Sequence, residues 1–134
     1  MIGVLIVTHG DIGTSLLASA SQILGATPQQ VSTLSVWRQD DPDDLVLRAR
    51  ELMQQIDAGD GVLILTDIFG ATPGNVVSKL LQDGRVEGVS GVSLPMLLRV
   101  LTHRNGSIAA SVQRAMSGGS EGLVHMNTDR CCDA

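Results

Sequence analysis

Ile2-Gly3-Val4-Leu5-Ile6-Val7-Thr8-His9-Gly10 opens as an apolar run and stops at a histidine. Residues 2–7 are almost unbroken in apolar character and rich in β-branched side chains. Such a run fits a strand buried on both faces, the strand type of parallel sheets. Beyond it Leu16, Leu17, Ala20, Ile23 and Leu24 recur at helical spacing and give one apolar face. Strand, turn and helix make a β-α unit, and His9 stands in the tight turn. In open α/β sheets the strand ends form the edge where ligands bind.

A second stretch answers the first. Residues 61–65, GVLIL, read as another buried strand and run into Thr66-Asp67-Ile68-Phe69-Gly70-Ala71-Thr72-Pro73-Gly74-Asn75. Asp67 ends its strand as His9 ends the first. If the two strands are neighbours, imidazole and carboxylate meet across one crevice.

The remaining segments fit around this pair. Asp11 or Thr14 can cap the first helix, and Gly25 stops it, with Pro28 just beyond. Residues 31–36, VSTLSV, carry three hydroxyl side chains and read as a less buried strand near a sheet edge. The acidic run around Pro42 is read as a helix start, not as a metal site. Asp41 is the N-cap, Pro42 the first helical position, and the following acids suit the first turn. That helix runs to about Asp57. Thr72 is the expected N-cap of the next helix, whose buried face is Val76, Val77, Leu80 and Leu81. Residues 86–92 are a glycine-loosened strand, and Ser93-Leu94-Pro95-Met96 begins a helix through about Leu101. A further helix carries Ile108, Val112, Ala115 and Met116 and is stopped by Gly118-Gly119; residues 122–126 are a last short strand.

Alternation of this kind predicts an α/β fold, a mostly parallel sheet with helices on both faces. The most apolar strands, the first and third, belong at the centre, and the polar second strand at an edge. An order of 2-1-3-4 satisfies both, with its topological switch point between the strands that end in His9 and Asp67. Residues 1–128 read as one domain and 129–134 as a tail.

Composition narrows the function. The chain has 134 residues, 43% hydrophobic and 17% charged, a net charge of −5, one Trp, one Phe and no Tyr. Base stacking on aromatics and a basic phosphate-tracking surface are both lacking, which argues against nucleic-acid binding. No apolar stretch approaches the roughly 20 residues needed to span a bilayer, and the N-terminus lacks signal-peptide features. The cysteines are the adjacent Cys131 and Cys132, neither a disulfide framework nor a structural metal site. The expected location is cytoplasmic, and no metal or cofactor is expected.

An imidazole titrates near pH 6.5, so one ring nitrogen is available near neutrality as nucleophile or base. A carboxylate that accepts the other N–H fixes the tautomer, orients the ring and stabilises positive charge on it. His9 and Asp67 divide the work in that way, and the natural electrophile is a phosphoryl group. Gly10 leaves space beside the ring. Gly70, Ala71 and Thr72 lead into a helix whose N-terminal N–H groups favour an anion, and the Thr72 hydroxyl is a further donor.

Ile6-Val7-Thr8-His9-Gly10, Thr66-Asp67-Ile68-Phe69-Gly70-Ala71-Thr72-Pro73-Gly74-Asn75 and the later Ser93-Leu94-Pro95-Met96-Leu97 resemble the IIA component of the mannose-type sugar phosphotransferase system, over nearly the full chain. The resemblance implies that His9 takes a phosphoryl group from the phosphohistidine of HPr and passes it to a IIB component during sugar uptake. It implies that Asp67 hydrogen-bonds His9. It further implies a homodimer in which an antiparallel fifth strand, here residues 122–126, is exchanged between subunits, and association with a membrane IIC/IID complex. The family often has two glycines where this chain has Gly70-Ala71.

Three alternatives stand beside this reading. One is a regulatory phospho-switch of the same fold with no sugar transport. Another is the dihydroxyacetone-kinase phosphotransferase subunit, a relative with the same histidine. A receiver domain phosphorylated on aspartate fits less well, because the first strand ends in Thr-His and not in clustered acids. His103 and His125 read as structural or interface residues, Arg99 and Arg104 as a solvated face, and Met96 and Leu97 as core. Neither a nucleophile elbow nor a Walker A pattern occurs.

Overall fold

A computed structural model describes residues 1–127. The elements run β1 (Gly3–His9), α1 (Ile12–Leu24), β2 (Val31–Val36), α2 (Pro42–Ile56), β3 (Val62–Thr66), α3 (Thr72–Ser78), β4 (Val86–Ser90), α4 (Leu94–Leu101) and α5 (Ile108–Glu121). The sheet is parallel throughout, in the order β2-β1-β3-β4. Central β1 and β3 are buried along their lengths except at His9, whereas edge strand β2 is only partly buried.

Strand alternation divides the core into two layers. Leu5, Val7, Val62 and Ile64 face α2 and α3, where Leu45, Val46, Ala49, Ile56, Val76 and Val77 meet them. Val4, Ile6, Leu63 and Leu65 face the other way, onto Ala20 of α1, Met96, Leu97 and Val100 of α4 and Ala115 of α5. Both faces of β1 and β3 are thus covered, which is why their sequences show no polar alternation. Among the described residues no helix is long and apolar enough to cross a membrane.

The helix starts follow their capping chemistry. Asp41 accepts the Asp43 N–H at 3.1 Å with Pro42 in the first turn, and Ser93 and Ser107 cap α4 and α5 in the same way. Gly25 ends α1 in the left-handed conformation, φ +78°.

Several expectations are corrected. Gly118-Gly119 does not stop α5, which runs on to Glu121. A Cβ on Gly118 would sit 3.1 Å from Met96 Cα, so the glycine serves the close approach of α4 to α5. Leu81 lies beyond the end of α3 and is exposed, as are Ile23, Leu24 and Met116 at helix positions turned from the core. Residues 122–126 form no strand within this chain: Gly122 caps α5, and Leu123 and Met126 are exposed. A strand needs a neighbour to pair with, and among the described residues none pairs with this segment. Cys131 and Cys132 lie outside the described residues.

Arg104 is not on a solvated face. It is buried, and its guanidinium donates to the carbonyl oxygens of Ile2, Gln29 and Gln30. Its own carbonyl accepts the Ile2 N–H at 3.1 Å. Burial pulls its pKa below the ordinary arginine value. The side chain ties the start of β1 and the loop before β2 to the α4–α5 connection. Arg104→Ala removes the shared donor of these carbonyls, of which Gln30 O keeps the Val4 N–H, and is expected to cost about 3 kcal/mol, roughly 10 °C in the thermal midpoint. A circular-dichroism melt within about 2 °C of wild type would show that the clamp is idle.

Candidate functional site

The pairing register sets the site. Val7 of β1 lies opposite Thr66 of β3, so His9 and Asp67 leave neighbouring strands at the same end. They meet there: His9 Nδ1 lies 2.8 Å from Asp67 Oδ2. The backbone N–H of His9 donates to the same oxygen at 3.0 Å. The other oxygen, Oδ1, accepts the Ile68 N–H at 2.9 Å and the Thr66 hydroxyl at 3.4 Å. Both carboxylate oxygens are therefore held by groups whose positions the sheet determines.

Burial and bonding compete at Asp67. Burial alone raises its pKa; the hydrogen bonds from the His9 backbone and ring, the ring's charge and the Ile68 N–H outweigh that and hold it below the ordinary aspartate value. An ionised carboxylate only accepts, so the proton of the neutral imidazole belongs on Nδ1. Nε2 then carries the lone pair. The side chain of His9 is 49% exposed and that of Asp67 12%. The arrangement is a reachable imidazole nitrogen on a shielded carboxylate.

The turn behind the histidine is also bound. Thr8 is buried and its hydroxyl accepts the Gly13 N–H at 2.8 Å, closing the loop from β1 to α1. This hydroxyl does the capping expected of Asp11 or Thr14; Asp11 holds the N-cap position without a side-chain bond. Gly10 adopts φ +47° and its N–H donates to Val36 O at 3.0 Å.

Gly70, Ala71 and Thr72 lie in the loop from Asp67 to α3. Gly70 has φ +88° with open space where a Cβ would stand. The N-cap of α3 is Ala71, not Thr72: Ala71 is extended, its carbonyl accepts the Asn75 N–H, and Thr72 with Pro73 forms the first turn. Pro73 suits either of the first two helical positions, and the helix takes the frame one residue earlier. Ala71 offers no side-chain cap to the first-turn N–H groups. Ile68 and Phe69, beside Asp67, are exposed large apolar side chains.

The family described as "PTS system fructose IIA component" matches residues 3–116. The chain belongs to this mannose-type EIIA family. It is 30% identical over 125 residues to the PTS system mannose-specific EIIAB component of Escherichia coli strain K12, a match covering 91% of this chain and 38% of that protein. The chain thus spans well under half of that relative's length. It is 32% identical over 105 residues to the PTS system fructose-specific EIIA component of Bacillus subtilis strain 168, covering 78% of this chain and 71% of that one. The fold superposes on the crystal structure of phosphotransferase system component EIIA from Streptococcus agalactiae with a TM-score of 0.85 at 26% identity, covering 96% of this chain and 100% of that one.

In this EIIA chain the other sequence candidates stand apart from the His9–Asp67 pair in their bonding. Arg99 pairs with Glu121 and donates to Ser117 Oγ at 3.2 Å. His103 places Nδ1 3.1 Å from Arg99 O, and His125 is exposed beyond α5. Met96 and Leu97 are core, as expected. Sequence reasoning passed over two residues that touch the histidine turn, Thr8 as its clasp and Trp37 as its neighbour. The signal for Trp37 was its place one residue beyond β2, whose last residue, Val36, is the register partner of His9.

Proposed function

We propose that this chain is a cytoplasmic phosphocarrier of the sugar phosphotransferase system, with His9 as the phosphorylated residue and Asp67 as its anchor. The observation that carries the reading is the Nδ1–Oδ2 contact of 2.8 Å. It commits the proton to Nδ1 and leaves Nε2 as the nucleophile. The Nε2 lone pair forms a bond to phosphorus as the bond from phosphorus to the donor histidine of phospho-HPr breaks. The donor ring nitrogen leaves with that electron pair. Positive charge that grows on the His9 ring faces the Asp67 carboxylate. Transfer to a IIB component reverses the sequence of events. Gly70, Ala71 and Thr72 supply the phosphate-binding wall through backbone N–H groups and the Thr72 hydroxyl, while Gly10, whose own N–H is held by Val36 O, adds a wall without a side chain. Without a basic side chain among these residues, the phosphoryl group is held lightly enough to leave again. Residues 1–128 act as one EIIA domain, which works as a homodimer with residues 122–126 exchanged as a fifth strand. A membrane IIC/IID complex is the destination of the relay.

The test is incubation with phosphoenolpyruvate, enzyme I and HPr, followed by intact-mass measurement and acid treatment. One acid-labile phosphoryl group per chain is the expected product, discharged on addition of a IIB component. An unlabelled chain in the presence of demonstrably active HPr would overturn the reading.

A further inference from the structure

Trp37 follows β2 at the sheet end where His9 emerges. Its indole ring lies against Gly10: a Cβ built on that glycine would stand 3.2 Å from Cζ3, 3.4 Å from Cη2 and 3.9 Å from Cε3. The ring therefore touches the residue that follows His9. Trp37 is itself fixed by a short turn, its N–H donating to Asp40 Oδ2 at 2.8 Å and its carbonyl accepting the Asp40 N–H at 3.0 Å. Core packing does not account for the side chain. It is 47% exposed, belongs to neither layer of the core and borders an open cavity of about 450 Å³.

Gly10 is the point at which the histidine turn has most freedom, since it lacks a Cβ and sits at φ +47°. One backbone bond, to Val36 O, and one side-chain wall, Trp37, limit it. That limit matters because the backbone N–H and Nδ1 of His9 converge on the same oxygen of Asp67. A shift of the turn disturbs both bonds together and releases the ring tautomer.

We propose that Trp37 is a positioning residue for phosphoryl transfer, its indole holding the Gly10 turn so that the imidazole stays on Asp67 with Nε2 outward. The kinetic part of this inference rests on the phosphocarrier reading; the effect on the imidazole does not.

The experiment compares wild type, Trp37→Ala and Trp37→Phe in two measurements. The first is the ¹⁵N spectrum of the His9 imidazole in the unphosphorylated protein, which reads the share of ring carrying its proton on Nδ1. The second is the rate of labelling against phospho-HPr concentration. In Trp37→Ala the Nδ1–H form loses its dominance, and kcat falls about tenfold with KM within about twofold, as expected for a misplaced nucleophile. Trp37→Phe, which retains a planar wall, recovers most of both. Should Trp37→Ala lose its fold, Trp37→Leu takes its place. An unchanged tautomer in a folded variant overturns the proposal. So does a rise in KM alone, which marks the indole as a donor-docking residue. Should the wild type take no label, the phosphocarrier reading fails while the ¹⁵N spectra still decide the role of Trp37.

Discussion

His9→Ala takes up no phosphoryl group from phospho-HPr, yet folds as the wild type does. The two halves of this expectation rest on separate bonds. The substitution removes Nε2, the atom proposed to attack phosphorus. Transfer falls by at least about 10³-fold, to background. The backbone N–H of residue 9 survives, and with it one of the two bonds to Asp67 Oδ2; Oδ1 keeps Ile68 and Thr66. The lost side chain is half-exposed, so the stability change stays within about 1 kcal/mol. Two of the influences that lower the Asp67 pKa, the ring hydrogen bond and the ring charge, vanish, while the shielding that raises it lessens, and the shift reads their balance. A ¹³C titration of the Asp67 carboxyl follows this shift, while the labelling assay follows the chemistry. Residual acid-labile label at a wild-type rate would move the phosphorylated site elsewhere.

What the sequence makes legible here is what local pattern controls. β1 and β3 are covered on both faces, so their apolar runs are continuous and the strands declare themselves central. β2 is half-covered and carries its hydroxyl residues accordingly. Strand order and the meeting of His9 with Asp67 follow from those differences. Features set by distant contacts are not legible in the same way. Arg104 reads as a surface residue because nothing near it in sequence says that carbonyls from residues 2, 29 and 30 converge on it. Gly118-Gly119 reads as a helix stop because a glycine that ends a helix and one that admits a neighbouring helix look alike. Trp37 lies near the histidine only through the β1–β2 register, a tertiary fact. Residues 122–126 read as a last short strand, but a strand needs a partner, and among the described residues none pairs with them.

Asp67→Asn is expected to lower the phosphorylation rate by about 10²–10⁴-fold while leaving the fold intact. Asparagine matches aspartate in shape but presents either a carbonyl or an N–H₂ to the ring. With the N–H₂ turned to Nδ1, the imidazole proton moves to Nε2, and the nucleophile is lost. With the carbonyl turned to Nδ1, the tautomer is right, but the charge that steadies the ring as Nε2 bonds phosphorus is gone. Either way the penalty falls mainly on kcat, since the carboxylate is shielded behind the ring and does not face the donor. The same variant separates stability from catalysis through pH. The native Asp67 pKa lies below the ordinary value of 3.8. Its stabilising contribution is therefore complete above the unfolded-state pKa near 3.9 and is lost as pH falls through the lowered native value. Wild type should exceed Asp67→Asn in urea unfolding free energy at pH 5 and above, and the margin should narrow below about pH 4. A margin that does not narrow between pH 5 and pH 3 would mean that the carboxylate is not preferentially ionised in the native state. Wild-type labelling by Asp67→Asn would mean that the 2.8 Å contact steadies the fold and leaves the chemistry to His9 alone.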